Sequence, residues 1–229
     1  MRHRLVLFIL IAHSALFNTL YAQTHYDGNI SIGGKVGFSL SRIQFNPTVP
    51  QSFQSGILMG GAFRYIEERH FGIIAEFNLE QRGWKEKYEG YDYSFNRKFT
   101  YLQVPLLTHI YFGSNKFHGF FNAGPEIGFM IGESTSSNFD YENVSTITDF
   151  PSINRPLDQY TLGVHSKFDY GISAGLGMEY IPSRHNSFVL EGRFYYGLND
   201  VFSNHKKDVF SGSSGLSIMV SLGYMYRIK

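Results

Sequence analysis

Leu216-Ser217-Ile218-Met219-Val220-Ser221-Leu222-Gly223-Tyr224-Met225-Tyr226-Arg227-Ile228 decides the fold. Every even position is apolar, from Leu216 to Ile228, while Ser217, Met219, Ser221, Gly223, Met225 and Arg227 occupy the odd ones. A period of two describes a strand with two unlike faces. Working back along the chain, the same alternation predicts strands over 30–42, 56–66, 70–82, 98–112, 117–131, 167–181, 187–198 and 215–228. Tight turns (67–69, 113–116, 182–186) separate them alternately with long connections (43–55, 83–97, 132–166, 199–214). The pattern predicts an all-β fold, an eight-stranded antiparallel up-and-down transmembrane β-barrel. An even number of strands puts both termini on one side with the short turns, the periplasm, and the long loops outside the cell.

A soluble barrel also alternates, with its apolar face inward, and side-chain volume separates the two cases. One face carries Phe71, Ile73, Phe77 and Leu79, then Leu102, Val104, Leu106 and Ile110, then Phe168, Ile172, Leu176 and Met178. An eight-stranded barrel is only just wide enough inside for side chains to fill it. That bulky set does not fit there, whereas Gly33, Gly37, Ser39, Gly171, Ser173, Gly175 and Gly177 on the opposite face do. The bulky face therefore meets lipid.

The inward face also holds charges: Lys35, Arg64, Arg82, Arg193 and Arg227 against Glu76, Glu80, Glu126, Asp169, Glu179 and Glu191. A buried charge without a partner costs several kcal/mol. The near balance of signs therefore predicts a lumen filled by a paired network, a plugged barrel. Aromatics near strand ends (Tyr65, Trp84, Phe99, Tyr111, Tyr180, Phe188) are expected in girdles at the membrane surfaces.

Arg2 and Arg4 precede an apolar run, Leu5–Leu20, and Tyr21-Ala22-Gln23. This reads as a cleavable signal peptide over 1–22, with the barrel domain over 23–229. Removing the leader turns the formal charge from +1 to −1, which gives no argument for nucleic acid. Without cysteine there is no disulfide and no thiol chemistry.

Several segments, in order along the chain, resemble the PorT-like family of outer-membrane β-barrel proteins. They are Ile32-Gly33-Gly34-Lys35-Val36-Gly37, Tyr101-Leu102-Gln103-Val104-Pro105-Leu106-Leu107 and Gly124-Pro125-Glu126-Ile127-Gly128. Asp169-Tyr170-Gly171 with Gly175-Leu176-Gly177-Met178-Glu179-Tyr180, and Leu190-Glu191-Gly192-Arg193-Phe194-Tyr195-Tyr196-Gly197-Leu198, complete the set. The resemblance implies a Gram-negative outer-membrane location and a non-enzymatic scaffold, envelope or protein-secretion accessory role. It also implies that Pro105, mid-strand, is tolerated at a bulge. Expected partners are outer-membrane lipid and lipopolysaccharide, the barrel assembly machinery, and an outer-membrane or secretion-system protein. The ending Tyr226-Arg227-Ile228-Lys229 departs from the terminal aromatic residue common in such barrels, so that recognition by the assembly machinery either rests on Tyr224 and Tyr226 or is less efficient.

Small barrels also include lipid-modifying enzymes and narrow pores, the alternative readings. His165-Ser166 and Ser203-Asn204-His205, with Asp169 and Asp208 nearby, offer the residue types of a catalytic triad. A triad needs fixed three-body geometry, and solvated loop residues are the plainer reading. His25, His70, His109, His118 and His185 show no metal-ligand spacing; no cofactor is expected. Gly33-Gly34-Lys35 lacks the rest of a phosphate-binding loop, and Asn143-Val144-Ser145 is a glycosylation sequon by pattern alone. The loop 132–166, with Phe139, Asp140, Tyr141, Glu142, Asp149 and Phe150, is open to two readings: a partner-binding surface or a disordered loop.

Overall fold

The computed structural model describes residues 28–152 and 155–228. The expected leader, residues 1–22, lies outside them. The described residues form nine strands: β1 (Asn29–Asn46), β2 (Gln51–Ser52), β3 (Gln54–Glu68), β4 (Phe71–Glu86), β5 (Phe95–Gly113), β6 (Phe117–Ser137), β7 (Phe168–Tyr180), β8 (Asn186–Asp200) and β9 (Gly212–Arg227). Eight of them close a ring, β4-β3-β1-β9-β8-β7-β6-β5 and back to β4, every pairing antiparallel. The ninth, β2, is a two-residue strand that alternation did not predict and pairs with the far end of β4. Closure removes the sheet edge, which a bilayer requires because lipid cannot satisfy backbone polar groups.

The outer wall is apolar. Leu176, Leu222, Phe77, Ile172 and Met178 are all more than half exposed, while their strand neighbours point inward. This inverts a soluble protein, and lipid rather than a core takes up that surface. At the turn end, Phe117 stacks on Tyr180 with ring centroids 4.9 Å apart, and Phe188 packs on Tyr224 at 5.7 Å, forming an outward aromatic belt. Trp84, Phe99 and Tyr111 do not belong to a girdle; all three are buried inside the ring.

At Pro105 the expected bulge is absent. The β4–β5 register is the same on both sides of it, from Ala75–Leu106 to Asn78–Gln103, with the two intervening pairs missing. The missing proline N–H is accommodated as a gap in the ladder, while Pro105 remains opposite Glu126 on β6. The bulge of this strand lies nearer its start, between Thr100 and Tyr101.

Strands outrun their expected ends on the loop side. The expectation stops at residue 82 in β4 and starts at 98 in β5; the ladder runs from Gly83–Lys98 to Lys85–Asn96 beyond both. The polarity of the wall reverses there. Outward residues become Gln81, Lys85, Asn96 and Lys98, and inward ones become Trp84, Phe95 and Phe99. Above the lipid the barrel is surrounded by water, so its apolar side chains turn inside.

Candidate functional site

Inside the wall the charged residues form three tiers. Nearest the turns, Arg64 on β3 meets Glu179 on β7 through Nη1 and Nη2 at 2.9 and 2.7 Å. In the middle, Arg193 on β8 grips Glu76 on β4 at 2.7 and 2.8 Å and reaches Glu191 at 2.8 Å. Lys35 joins this tier, 2.6 Å from Glu76 and 3.7 Å from Glu191. Asn78 and Asn122 donate to the same two carboxylates at 2.8 Å, and Asn122 is held by His109 Nδ1 at 2.7 Å. Bidentate pairing of this kind fixes geometry as well as charge.

The third tier is lopsided. Arg82 faces Glu80 at 3.3 Å, Glu126 at 3.3 Å and Asp169 at 3.1 Å, one cation among three carboxylates. Neutral donors supply what charges do not. Gln103 and Ser217 donate to Glu80 at 2.6 and 2.5 Å, Ser173 to Glu126 at 2.6 Å, and Tyr195 to Asp169 at 2.8 Å. The Arg82 guanidinium is sandwiched between the rings of Tyr195 and Tyr101, 4.1 and 4.6 Å from their centroids.

Arg227 stands apart from the expected network. It sits half-buried at the turn end, beside Arg64, Ser31 and Arg184, with no ion pair among the described residues. The tiers therefore hold four cations against six carboxylates, not the near balance that the sequence suggested. Between the first two tiers lies a cavity of about 40 Å³, lined by Lys35, Arg64, His109 and Glu191 among others. That is room for a few waters.

Above the third tier the lumen ends in an apolar core. Trp84, Phe95, Phe99, Phe202 and Phe210 are all buried there, with Ile43, Phe45 and Val201. The long loop folds onto it through two short 3-10 turns, Val144–Thr146 and Asp158–Tyr160. Phe139, Tyr141 and Phe150 pack half-buried against the core, while Asp140, Glu142 and Asp149 remain exposed.

Polar clamps fix this cap. Glu86 accepts from Tyr160 at 2.8 Å, Tyr88 at 3.2 Å, Gln159 at 2.7 Å and Arg155 at 2.7 Å. The Tyr88 and Tyr160 hydroxyls lie 2.8 Å apart, and burial beside the Glu86 carboxylate pushes both well above the ordinary tyrosine range. Arg97 pairs with Glu133 and donates to the Leu162 carbonyl at 2.7 Å. Sequence reasoning missed Glu86, Arg97, Arg155 and Tyr160 because it placed all four in loops. The available signal was the aromatic alternation Phe95, Phe99, Tyr101 around Arg97.

The triad candidates do not assemble as a relay. Ser203 Oγ lies 2.6 Å from His205 Nδ1 and 2.5 Å from Asp208, and Asp208 approaches that same ring nitrogen at 3.3 Å. A relay needs the two imidazole nitrogens to serve different partners. These three instead close one exposed turn, and the hydrogen bond from Ser203 lowers the Asp208 carboxyl. Ser166 is engaged with the Phe168 carbonyl at 2.9 Å. Among the described residues no cluster has the composition of a metal site.

The family model described as "Outer membrane protein beta-barrel domain" matches residues 21–203. No curated protein matches the chain in sequence. Among solved structures it is similar to the outer membrane protein OprG of Pseudomonas aeruginosa, at 14% identity over 89% of this chain and 97% of that one, TM-score 0.52. It is also similar to Neisserial surface protein A (9% identity, 88% and 99% covered, TM-score 0.48). A third is Ail, the attachment invasion locus protein of Yersinia pestis (16%, 87% and 99%, TM-score 0.43). At these identities the likeness to OprG shows the fold and nothing further.

Proposed function

Because this chain belongs to the outer membrane protein beta-barrel domain family, we propose that it is a closed, non-enzymatic barrel serving as an outer-membrane scaffold, in particular as an accessory to envelope maintenance or protein secretion. The single observation that carries this is the filled interior, with three ion-paired tiers below an aromatic cap. Such a lumen supports a barrel that does not conduct, and its packed cap offers a surface at the loop end. The turns and the ends of β1 and β9 then face the periplasm, reached by export through the leader at 1–22. The PorT-like segments support the secretion-accessory role. The single-turn arrangement of Ser203, His205 and Asp208 supports a role without catalysis.

Lipid and lipopolysaccharide surround the wall in this reading, and the barrel assembly machinery inserts it. Two measurements test the proposal. Planar-bilayer recordings of the folded protein should be silent; discrete conductance steps would favour the pore reading. In-cell crosslinking followed by purification from outer membranes should bring down a stoichiometric protein partner. Recovery of lipopolysaccharide alone would remove the accessory role and leave an independent scaffold.

A further inference from the structure

We propose that the turn-end mouth of the barrel is a binding site for a phosphate-type oxyanion. The register of β1 places Ser31 opposite Arg64 on β3 and opposite Arg227 on β9. Three neighbouring strands thus present guanidinium, hydroxyl and guanidinium in one row, across roughly 10 Å at the usual strand spacing. The β7–β8 turn adds Arg184 and His185 to the same pocket.

Two donors in this row have no protein partner. Ser31 is 1% and Arg64 4% exposed, yet neither Ser31 Oγ nor Arg64 Nε finds a hydrogen bond among the described residues. Native proteins rarely leave such groups unpaired. Glu179, which meets Arg64 from β7 on the opposite wall, is already taken by both outer nitrogens of Arg64 and does not line the pocket. Arg227 and Arg184 bring two further positive charges with no ion pair among the described residues. The pocket therefore holds unused N–H and O–H donors, and no carboxylate lines it.

Its shape adds the ligand class. The pocket is partly open and small, about 10 Å³, enough for one oxygen-sized group. The remaining donors converge from β9 and from the turn at the opening. A tetrahedral anion places one oxygen on Ser31 and Arg64 and offers others to Arg184 and Arg227; a planar carboxylate has only two to share. The phosphate has two sources, the solution or a phospholipid headgroup, because the outward rings of Tyr224 and Tyr226 set this rim at the membrane surface.

The test is thermal unfolding of the full folded barrel in neutral detergent with inorganic phosphate or chloride at equal ionic strength. Phosphate should raise the midpoint saturably, as a ligand of the native state does. Arg227→Gln should require roughly tenfold more phosphate, the loss of one charged hydrogen bond; Ser31→Ala, a smaller excision, should weaken it too. Arg69→Gln, on another turn and outside the pocket, should match the parent. Gel mobility before and after boiling establishes that each variant is folded. Equal shifts with chloride, or equal losses in Arg69→Gln and Arg227→Gln, would overturn the site, and an equal shift with acetate would overturn the phosphate assignment. In phosphatidylglycerol vesicles, a vanished response to added phosphate identifies the headgroup as occupant, and a persistent one identifies soluble phosphate.

Discussion

Arg64 and Glu179 lie four strands apart in either direction around the ring, and still meet through two parallel hydrogen bonds. Arg193 and Glu76 stand in the same relation, β8 to β4. These pairs are diametric struts, joining opposite walls.

Removing one end of a strut should be costly. Arg64→Leu strands the buried Glu179 carboxylate and should lower stability by about 3–5 kcal/mol, read by guanidinium unfolding in detergent. Arg64→Leu with Glu179→Leu should recover most of that loss, because two apolar groups leave no orphan charge. A double variant as unstable as the single one would refute the strut.

Trp84 is the sole tryptophan of the chain and reports directly on the cap. It is fully buried, edge-on to Phe45 at 5.3 Å and to Phe202 at 5.9 Å. Its emission should be blue-shifted and protected from acrylamide. Phe202→Ala, a change worth about 3–5 kcal/mol in a packed core, should shift it red and open it to quencher while the barrel keeps its gel mobility.

The cap should also loosen in alkali. Tyr88 and Tyr160 titrate higher in the folded cap than the ordinary tyrosine value of about 10. A raised native pKa means that their contribution is complete below the unfolded value and is lost as pH climbs past it. Proteolysis of the segment 138–167 should therefore accelerate above about pH 10. The double variant Tyr88→Phe, Tyr160→Phe should show a flatter profile and a cap already weaker at neutral pH.

Close approach at the β1–β9 seam gives another test. A Cβ added at Gly37 would lie 2.1 Å from the Val220 carbonyl oxygen, whereas at Gly34 the nearest atom is 3.4 Å away. Gly37→Val should prevent the compact folded form on unboiled gels, and Gly34→Ala should leave it. Equal behaviour of the two would show that the seam has slack.

The sequence made the wall legible because one physical rule operates along it: lipid demands a bulky apolar exterior, so Phe77 and Leu176 declare the outward parity and Glu76 and Arg193 follow inward. The rule changes sign where lipid stops. Trp84 and Phe99 have inward parity but apolar character, and a pattern keyed to outward apolarity assigns them to a girdle and ends the strands early. The cap was hidden for a further reason. Glu86 is distant in sequence from Arg155 and Tyr160, and their meeting depends on how loops fold over the mouth, which no local period encodes. Arg227 shows the remaining limit: parity fixes which way a residue points, while its level along the barrel decides what it meets.

The struts also bear on how the protein is made. Opposite walls face each other only once the β1–β9 seam has zipped, so a half-formed sheet holds Arg64, Glu76, Glu179 and Arg193 without their mates. Pairing of the struts is therefore tied to closure of the ring. Partly assembled hairpins have no resting place in the bilayer, and whatever guides them must shelter polar faces until the last strand is home.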